Sequence, residues 1–494
     1  MSIPIAGFPT MMILVSGAFY ALFAILVVVI KYLSVILGLV FNRQRYVIEG
    51  IEIVTIDKHE NGSEQRGILM GKIFNTIKRR SASAYVLCLM ILIASLAFWV
   101  GSDNSFQSDS ENYVVSMVTA GRYNFDIGNR QFGMGTMATI EGNVYDVYAN
   151  PELYGGSISE REQQIGLQGW VFYCFANLRV PHPVAAFRLG CCLALAIVLS
   201  LICYELKKKY GLLFASIFFI VLVSSSWITN FAPNLYWVTF TWFIPMLLGL
   251  VCLNNLNKRK WLYPLFFLAV FAKAACGYEY ITVVMLSSIM FLVAEWIYAV
   301  KIDKQHSKLL LRTIIMTGMM SLLGFASALL LNGYMRGDGN ILNGLNAIWR
   351  EDVLRRTFGN AEDFHEFFTD SLNASIIDVL IIYFREDFAG VLARRLLIAS
   401  ASVFVIKHIV KRKSLNKEFW LFVVSFLTCI SWFVLGKSHS HIHHINFVMW
   451  YMGFIQISSF VVIKFILTCL FSVEGKAMLK EFAQKIRLEV NRDI

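Results

Sequence analysis

Long apolar runs separated by short polar connectors dominate the chain. A helix needs about 20 mostly apolar residues to cross the hydrocarbon core, with roughly 17–25 tolerated. By that measure the runs near 11–32, 84–101, 184–204, 211–229, 236–254, 261–276, 281–300, 310–332, 394–410, 418–436 and 446–470 predict about eleven transmembrane helices. The runs at 261–276 and 394–410 are the weakest of the set. An odd number puts the two termini on opposite sides of the bilayer. The first run has no early basic region and no small-residue cleavage site followed by a polar chain, so it reads as a retained helix. Two connectors are far longer than the others, 102–183 and 335–395. Within the second, Ile376–Phe384 is apolar but too short to span, and Arg385, Glu386 and Asp387 follow it, which predicts an interfacial or re-entrant helix. Residues 51–57 alternate as a short strand would. There are no internal repeats and no inverted pair of hydrophobic halves.

Composition agrees with the pattern. Hydrophobic residues make up 57% of the chain and charged residues 16%, against about 25% charged in soluble proteins. This excludes a soluble multidomain protein, a disordered chain and a single-anchor receptor. A net charge of +11 suggests nucleic acid, but the lysines and arginines sit in short runs between apolar segments, so no nucleic-acid partner is expected. They report orientation instead. Segments 42–83, 205–210, 254–260, 301–312, 407–417 and 471–494 hold 28 of the 44 basic residues, while 102–183, 335–395 and 437–445 hold 12. The two long loops carry 19 of the 33 acidic residues. The expected protein is multi-pass, with its N-terminus outside, its C-terminus cytoplasmic, and two long, acidic extracytoplasmic loops. The cluster Lys78-Arg79-Arg80 reads as a topology signal and an anionic-lipid contact. The nine cysteines fall in or beside apolar segments without metal spacing, as small core residues would.

Three stretches carry candidate chemistry. Ser108-Asp109-Ser110-Glu111-Asn112-Tyr113 places two carboxylates just beyond the second run, where one can take the proton of an acceptor hydroxyl. The same loop returns through Arg161-Glu162-Gln163-Gln164-Ile165-Gly166-Leu167-Gln168-Gly169-Trp170, whose amides and aromatic suit sugar hydroxyls. A solvated acidic loop with an interfacial tryptophan is the plainer alternative. The second stretch, Lys273 to Tyr280, sets Lys273 and Glu279 at the ends of consecutive runs. Ionisable groups at membrane depth usually face a partner or a cavity, so a structural ion pair competes with a functional site. The third, Lys437-Ser438-His439-Ser440-His441-Ile442-His443-His444, suits a phosphate or pyrophosphate, a zinc ion or a plain polar loop. Arg188, early in the third run, is a further phosphate candidate or a snorkelling side chain.

A carboxylate at a membrane exit opening a long first loop, a bundle of about eleven helices and a second long loop late in the chain resemble the GT-C superfamily. Its members are integral-membrane glycosyltransferases that use polyprenyl-phosphate-linked sugars. The run from Gln164 to Gly169 looks like the loop-to-helix return of bacterial members. The family's acidic motif is Asp-x-Asp, and this chain has Asp-x-Glu at Asp109 and Glu111. The resemblance implies an all-α polytopic fold divided into 1–83, an extra N-terminal helix and cytoplasmic loop; 84–470, the GT-C-like domain; and 471–494, a cytoplasmic tail. It also implies Asp109 or Glu111 as base in an inverting transfer, with Lys273, Arg188, His443 and His444 on the donor phosphate. Glu279, Gln164, Gln168 and Tyr113 would bind sugar or acceptor. It fixes no cofactor, and a divalent metal at Asp109 and Glu111 stays open. The implied partners are a polyprenyl-phosphate-sugar donor, a glycan acceptor such as O-antigen, and the lipid bilayer, in a bacterial inner membrane. Serotype-converting glucosyltransferases are similar in size and loop layout. An O-antigen polymerase or ligase is the alternative enzyme, relying on Arg350, Arg355, Arg356 and His365, and a transporter or flippase is the alternative outside enzymes.

Overall fold

The computed structural model describes residues 84–103, 110–178, 180–411 and 416–473, with scattered positions as far as 484. The run at 11–32, the 51–57 strand and the cluster at 78–80 lie outside the described residues, and so does Asp109. The chain divides into two compact units, Met1–Ala94 and Ser95–Ile494. Of the first, only the opening of helix α1 (Ala84–Val100) is described. The second unit holds every other described element.

The first long loop holds α2 (Asn112–Tyr123), a two-stranded antiparallel hairpin of β1 (Gly135–Thr139) and β2 (Tyr154–Glu160), and α3 (Leu167–Asn177). The bundle continues with α4 (Pro183–Tyr210), α5 (Leu212–Val223), α6 (Phe240–Asn254), α7 (Arg259–Cys276), α8 (Ile281–Ala299) and α9 (Lys304–Arg336). The second long loop contains a π-helical turn over Ile348–Leu354 and the helix α10 (Ile376–Arg385). After it come α11 (Asp387–Lys411), α12 (Lys417–Leu435), α13 (Lys437–Ile442), a 3-10 stretch over His444–Tyr451 and α14 (Phe454–Phe471).

Among the described residues six helices are long and apolar enough to cross a membrane: α4, α8, α9, α11, α12 and α14. The count is seven if the pair Glu366–Asn373 and Ile376–Arg385, bent by 90°, forms one broken span. Apart from the one hairpin, the described residues are those of a helical membrane protein. Two expected spans are shorter helices here, for local reasons. The run 211–229 breaks after Val223, where the Ser225 hydroxyl accepts the Ile228 amide at 3.3 Å and starts a separate turn, Ser226–Phe231. In 236–254 the Asn234 side chain captures the amides of Tyr236 and Trp237 at 2.9 and 3.3 Å, and the helix waits until Phe240. Such side-chain capture competes with helix formation. The run at 84–101 is α1, and α7 carries Arg259, Lys260 and Lys273 and falls outside the six.

Helix α9 shows how the bundle packs. Its buried positions include Leu310, Thr313, Thr317, Ser321, Gly324, Ala328, Asn332 and Met335, three or four residues apart along one face. Ile315, Met319, Leu322, Leu323 and Leu330 are exposed. Between Leu310 and Met335 the inward positions are small or polar and the outward ones large and apolar, the reverse of a soluble amphipathic helix. In lipid, apolar surface gains little by leaving its surroundings, so close backbone approach between small residues drives packing. At about 1.5 Å per residue α9 is roughly 50 Å long, well beyond the hydrocarbon core.

The same logic joins α6 to α8. A Cβ built on Gly249 would collide with the carbonyl oxygen of Ser288. Gly318, on α9, has nothing within 4 Å of its Cβ position. We expect Gly249→Ala to lower stability by about 1–3 kcal/mol through backbone displacement, with Gly318→Ala neutral or slightly stabilising from helix propensity. Thermal unfolding of both variants in detergent, followed by tryptophan fluorescence, checks the pair.

Candidate functional site

One cavity of about 320 Å³ gathers residues from five separate segments. The first loop contributes Ser110, Arg161 and Gln163; the turn before α6 contributes Tyr236 and Trp237; and the α7–α8 turn contributes Glu279. Arg355, Arg356, Phe367 and Phe368 enter from the second loop, and Ser438, His439, Ile442, His443 and Ile445 from the histidine segment.

Glu279 is 5% exposed, and its partners define the site. Its Oε1 accepts the Tyr236 hydroxyl at 3.1 Å and lies 3.7 Å from Arg356 Nη1. Burial works against its charge, but Arg356, Lys273 and Arg161 outweigh that and hold the carboxyl below its usual range. Gln164 donates to the same Tyr236 hydroxyl. Gln168 Nε2 donates to the carbonyls of Tyr236 (2.8 Å) and Cys276 (2.9 Å), so the start of α3 ties both turns together. Gly166 enters α3 in the left-handed region at φ 73°, and a Cβ on Gly169 would strike the Gly133 carbonyl. The glycines in this run are therefore required by backbone geometry. Val238 (φ 38°) and Tyr280 (φ 63°) also sit in the left-handed region beside the cavity, a cost of order 1–3 kcal/mol each that packing must hold. Tyr280 is clamped between Trp237, Trp242 and Trp432, at 5.4, 5.0 and 5.4 Å between ring centroids.

The cavity is cationic. Asp352, inside the π-helical turn, lies 3.7 Å from Arg355 and 3.6 Å from Arg356 and accepts from Arg336 Nη1 at 2.5 Å, so three guanidinium groups share it. Arg161 stacks over the Tyr113 ring at 4.0 Å. The Nε atoms of Arg161, Arg355 and Arg356 are buried without a hydrogen-bond partner among the described residues. Buried donors in that state are uncommon in folded proteins, and all three belong to side chains that line this cavity. The His439 and His443 rings lie 4.5 Å apart at a tilt of 40°, and His439 Nδ1 is 3.2 Å from the Asn446 amide. Burial, then Arg356, His443 and Arg355, push its imidazole well below the ordinary value, so it is neutral.

The expected site residues divide between this cavity and its supports. Glu279 and His443 line it, and Gln164, Gln168 and Tyr113 hold lining residues from behind. Lys273 is 2% exposed and donates to the Gly277 carbonyl at 2.6 Å, closing the end of α7 instead of lining the cavity. Glu111 is fully buried and saturated: Arg188 binds both its oxygens, Tyr145 donates at 2.8 Å and the Leu235 amide at 2.9 Å. Glu111 and Arg188 thus serve each other, and neither lines the cavity. His444 is exposed and 3.5 Å from Glu386. Lys437 donates to the carbonyls of Leu372 (2.6 Å) and Ala374 (2.5 Å) and holds the second loop. His365 accepts the Phe367 amide at 3.2 Å. The structure adds Arg161, and it brings Arg355 and Arg356 to the same space as Glu279. Among the described residues no three His, Cys, Asp or Glu side chains stand close enough to hold a metal. Comparison with family models, with curated proteins and with solved structures returns no match.

Arg188→Ala strands Glu111 without its cation, and breaking such a buried pair costs about 3–5 kcal/mol. We expect loss of folded yield, read by size-exclusion chromatography. A histidine held neutral when folded binds fewer protons than when unfolded. Stability should therefore be intact above pH 6.5, the ordinary histidine value, and fall as pH drops below it. In His439→Gln that decline should be shallower by up to about 1.4 kcal/mol per pH unit, measured by denaturation at pH 7 and pH 5.

Proposed function

We propose that this chain is a GT-C-like membrane glycosyltransferase that moves a sugar from a polyprenyl-phosphate-linked donor onto a glycan acceptor. The observation that carries the reading is the cavity that three arginines, Arg161, Arg355 and Arg356, line beside the buried carboxylate of Glu279. Planar guanidinium groups suit phosphate oxygens. Their charge is most useful when the sugar–phosphate bond breaks and negative charge grows on the leaving group. Trp237, Phe367 and Phe368 line the same space and offer flat surfaces for a sugar ring or an isoprenoid tail.

In the proposed step the acceptor hydroxyl oxygen attacks the anomeric carbon while the carbon–oxygen bond to phosphate breaks. Configuration inverts, the hydroxyl proton passes to a carboxylate, and polyprenyl phosphate leaves with the electron pair. Asp109 is the base we favour, because its neighbour in sequence, Ser110, lines the cavity, whereas both oxygens of Glu111 are occupied. The full topology we propose has about eleven spans, the N-terminus outside and the C-terminus cytoplasmic, in a bacterial inner membrane, with O-antigen or another surface polysaccharide as acceptor. Arg355 and Arg356 in the cavity also favour the polymerase or ligase reading.

The test compares surface-glycan structure in a host supplying the polyprenyl donor, with and without the chain and its variants. Arg355→Ala and Asp109→Asn should each reduce transfer at least about 100-fold while membrane insertion is unchanged. Full transfer in both variants would sink the reading. A neutral Asp109→Asn beside an inactive Arg355→Ala would move it to the polymerase or ligase.

A further inference from the structure

A second cavity, also about 320 Å³, lies at the other ends of the helices that frame the first. Glu279 precedes the start of α8 and His439 follows the end of α12, whereas this cavity takes Tyr298 from the end of α8 and Lys417 from the start of α12. Those helices have 19 residues each, so the two cavities are separated by roughly 28 Å along them.

Its charge is unbalanced. Glu295 is held by Lys417 and, at 3.2 Å, by Lys209. Glu418 is held by Lys464 and, at 3.6 Å, by Lys407. Among the described residues four ammonium groups thus share two carboxylates, a surplus of two positive charges. The surplus stands at the helix ends, on lysines that are partly exposed, where basic residues also report orientation. Lys209, Lys417 and Lys464 line the cavity, and Leu421, Ile457 and Val461 form an apolar wall beside them. Tyr210 lines it as well, with a buried hydroxyl that has no hydrogen-bond partner among the described residues. Lys417 Nζ sits 4.8 Å above the Tyr210 ring.

We propose that this cavity binds the phosphate headgroup of an anionic membrane lipid. Compact lysine charges and a tyrosine hydroxyl meet the phosphate oxygens, the two excess charges find their counter-ion, and the apolar wall receives the first part of an acyl chain. Basic pockets between transmembrane helices are suited to such headgroups. The site is independent of glycosyl transfer and shares no lining residue with the first cavity.

The experiment is native mass spectrometry of the full chain in detergent, titrated with phosphatidylglycerol, phosphatidylcholine or millimolar inorganic phosphate. The decisive variant is Lys209→Gln with Lys464→Gln, which leaves each glutamate one lysine and removes only the surplus. With about 1 kcal/mol per lysine at a lipid surface, each substitution should weaken phosphatidylglycerol binding about fivefold and the pair roughly 30-fold. Tyr210→Phe, a milder change, should weaken it by a smaller factor. Wild-type chain should prefer phosphatidylglycerol to phosphatidylcholine, and inorganic phosphate should not displace it. Binding within about twofold of wild type in both the double variant and Tyr210→Phe overturns the proposal. So does displacement by inorganic phosphate, which would identify the occupant as a soluble ion.

Discussion

A carboxylate shut away from water costs several kcal/mol unless cations and donors meet it there, and Glu279 meets both. Tyr236 donates to it, Arg356 stands beside it, and Lys273 adds its charge from the end of α7. Each of these depends on a different part of the chain. Tyr236 is positioned by Gln164 and Gln168 at the return of the first loop. Arg356 is positioned by Asp352 in the second loop, and Asp352 by Arg336 at the end of α9. Satisfying one buried charge therefore closes two distant loops over a single cavity. Asn332 adds to the closure by reaching the Gln163 carbonyl, 169 residues away in sequence.

The helices legible in the sequence are those for which hydrophobicity alone decides. α8 and α12 fall within a residue of their expected limits, since nothing polar interrupts them. Where one side chain could capture a neighbouring amide, as Asn234 and Ser225 do, average hydropathy conceals the break. The β1–β2 hairpin leaves no clear trace in the sequence, because Gly135–Thr139 and Tyr154–Glu160 lack alternation and gain their order from pairing with each other.

The site is legible where polarity stands out against apolar surroundings: Glu279, His443 and the glutamines of the first loop. It is not legible where the outcome depends on a distant partner. Glu111 resembles an available carboxylate until Arg188, Tyr145 and Leu235 arrive from 77, 34 and 124 residues away. Arg161 is one arginine in a polar loop, with nothing local to separate it from a solvated one. The available signal is a charge imbalance, arginines recurring at 161, 355 and 356, and it becomes meaningful only when the loops are known to meet.

The length of α9 has a mechanical consequence. Its body packs through small residues against its neighbours, while its last residue, Arg336, anchors the acid that gathers Arg355 and Arg356. The helix is in effect a ruler between the packed bundle and the arginine cluster. Adding or deleting one turn would move that cluster about 5.4 Å along the axis relative to Glu279, further than any hydrogen bond can stretch. The number of residues in α9, which exceeds what the bilayer core requires, is thus constrained by the cavity.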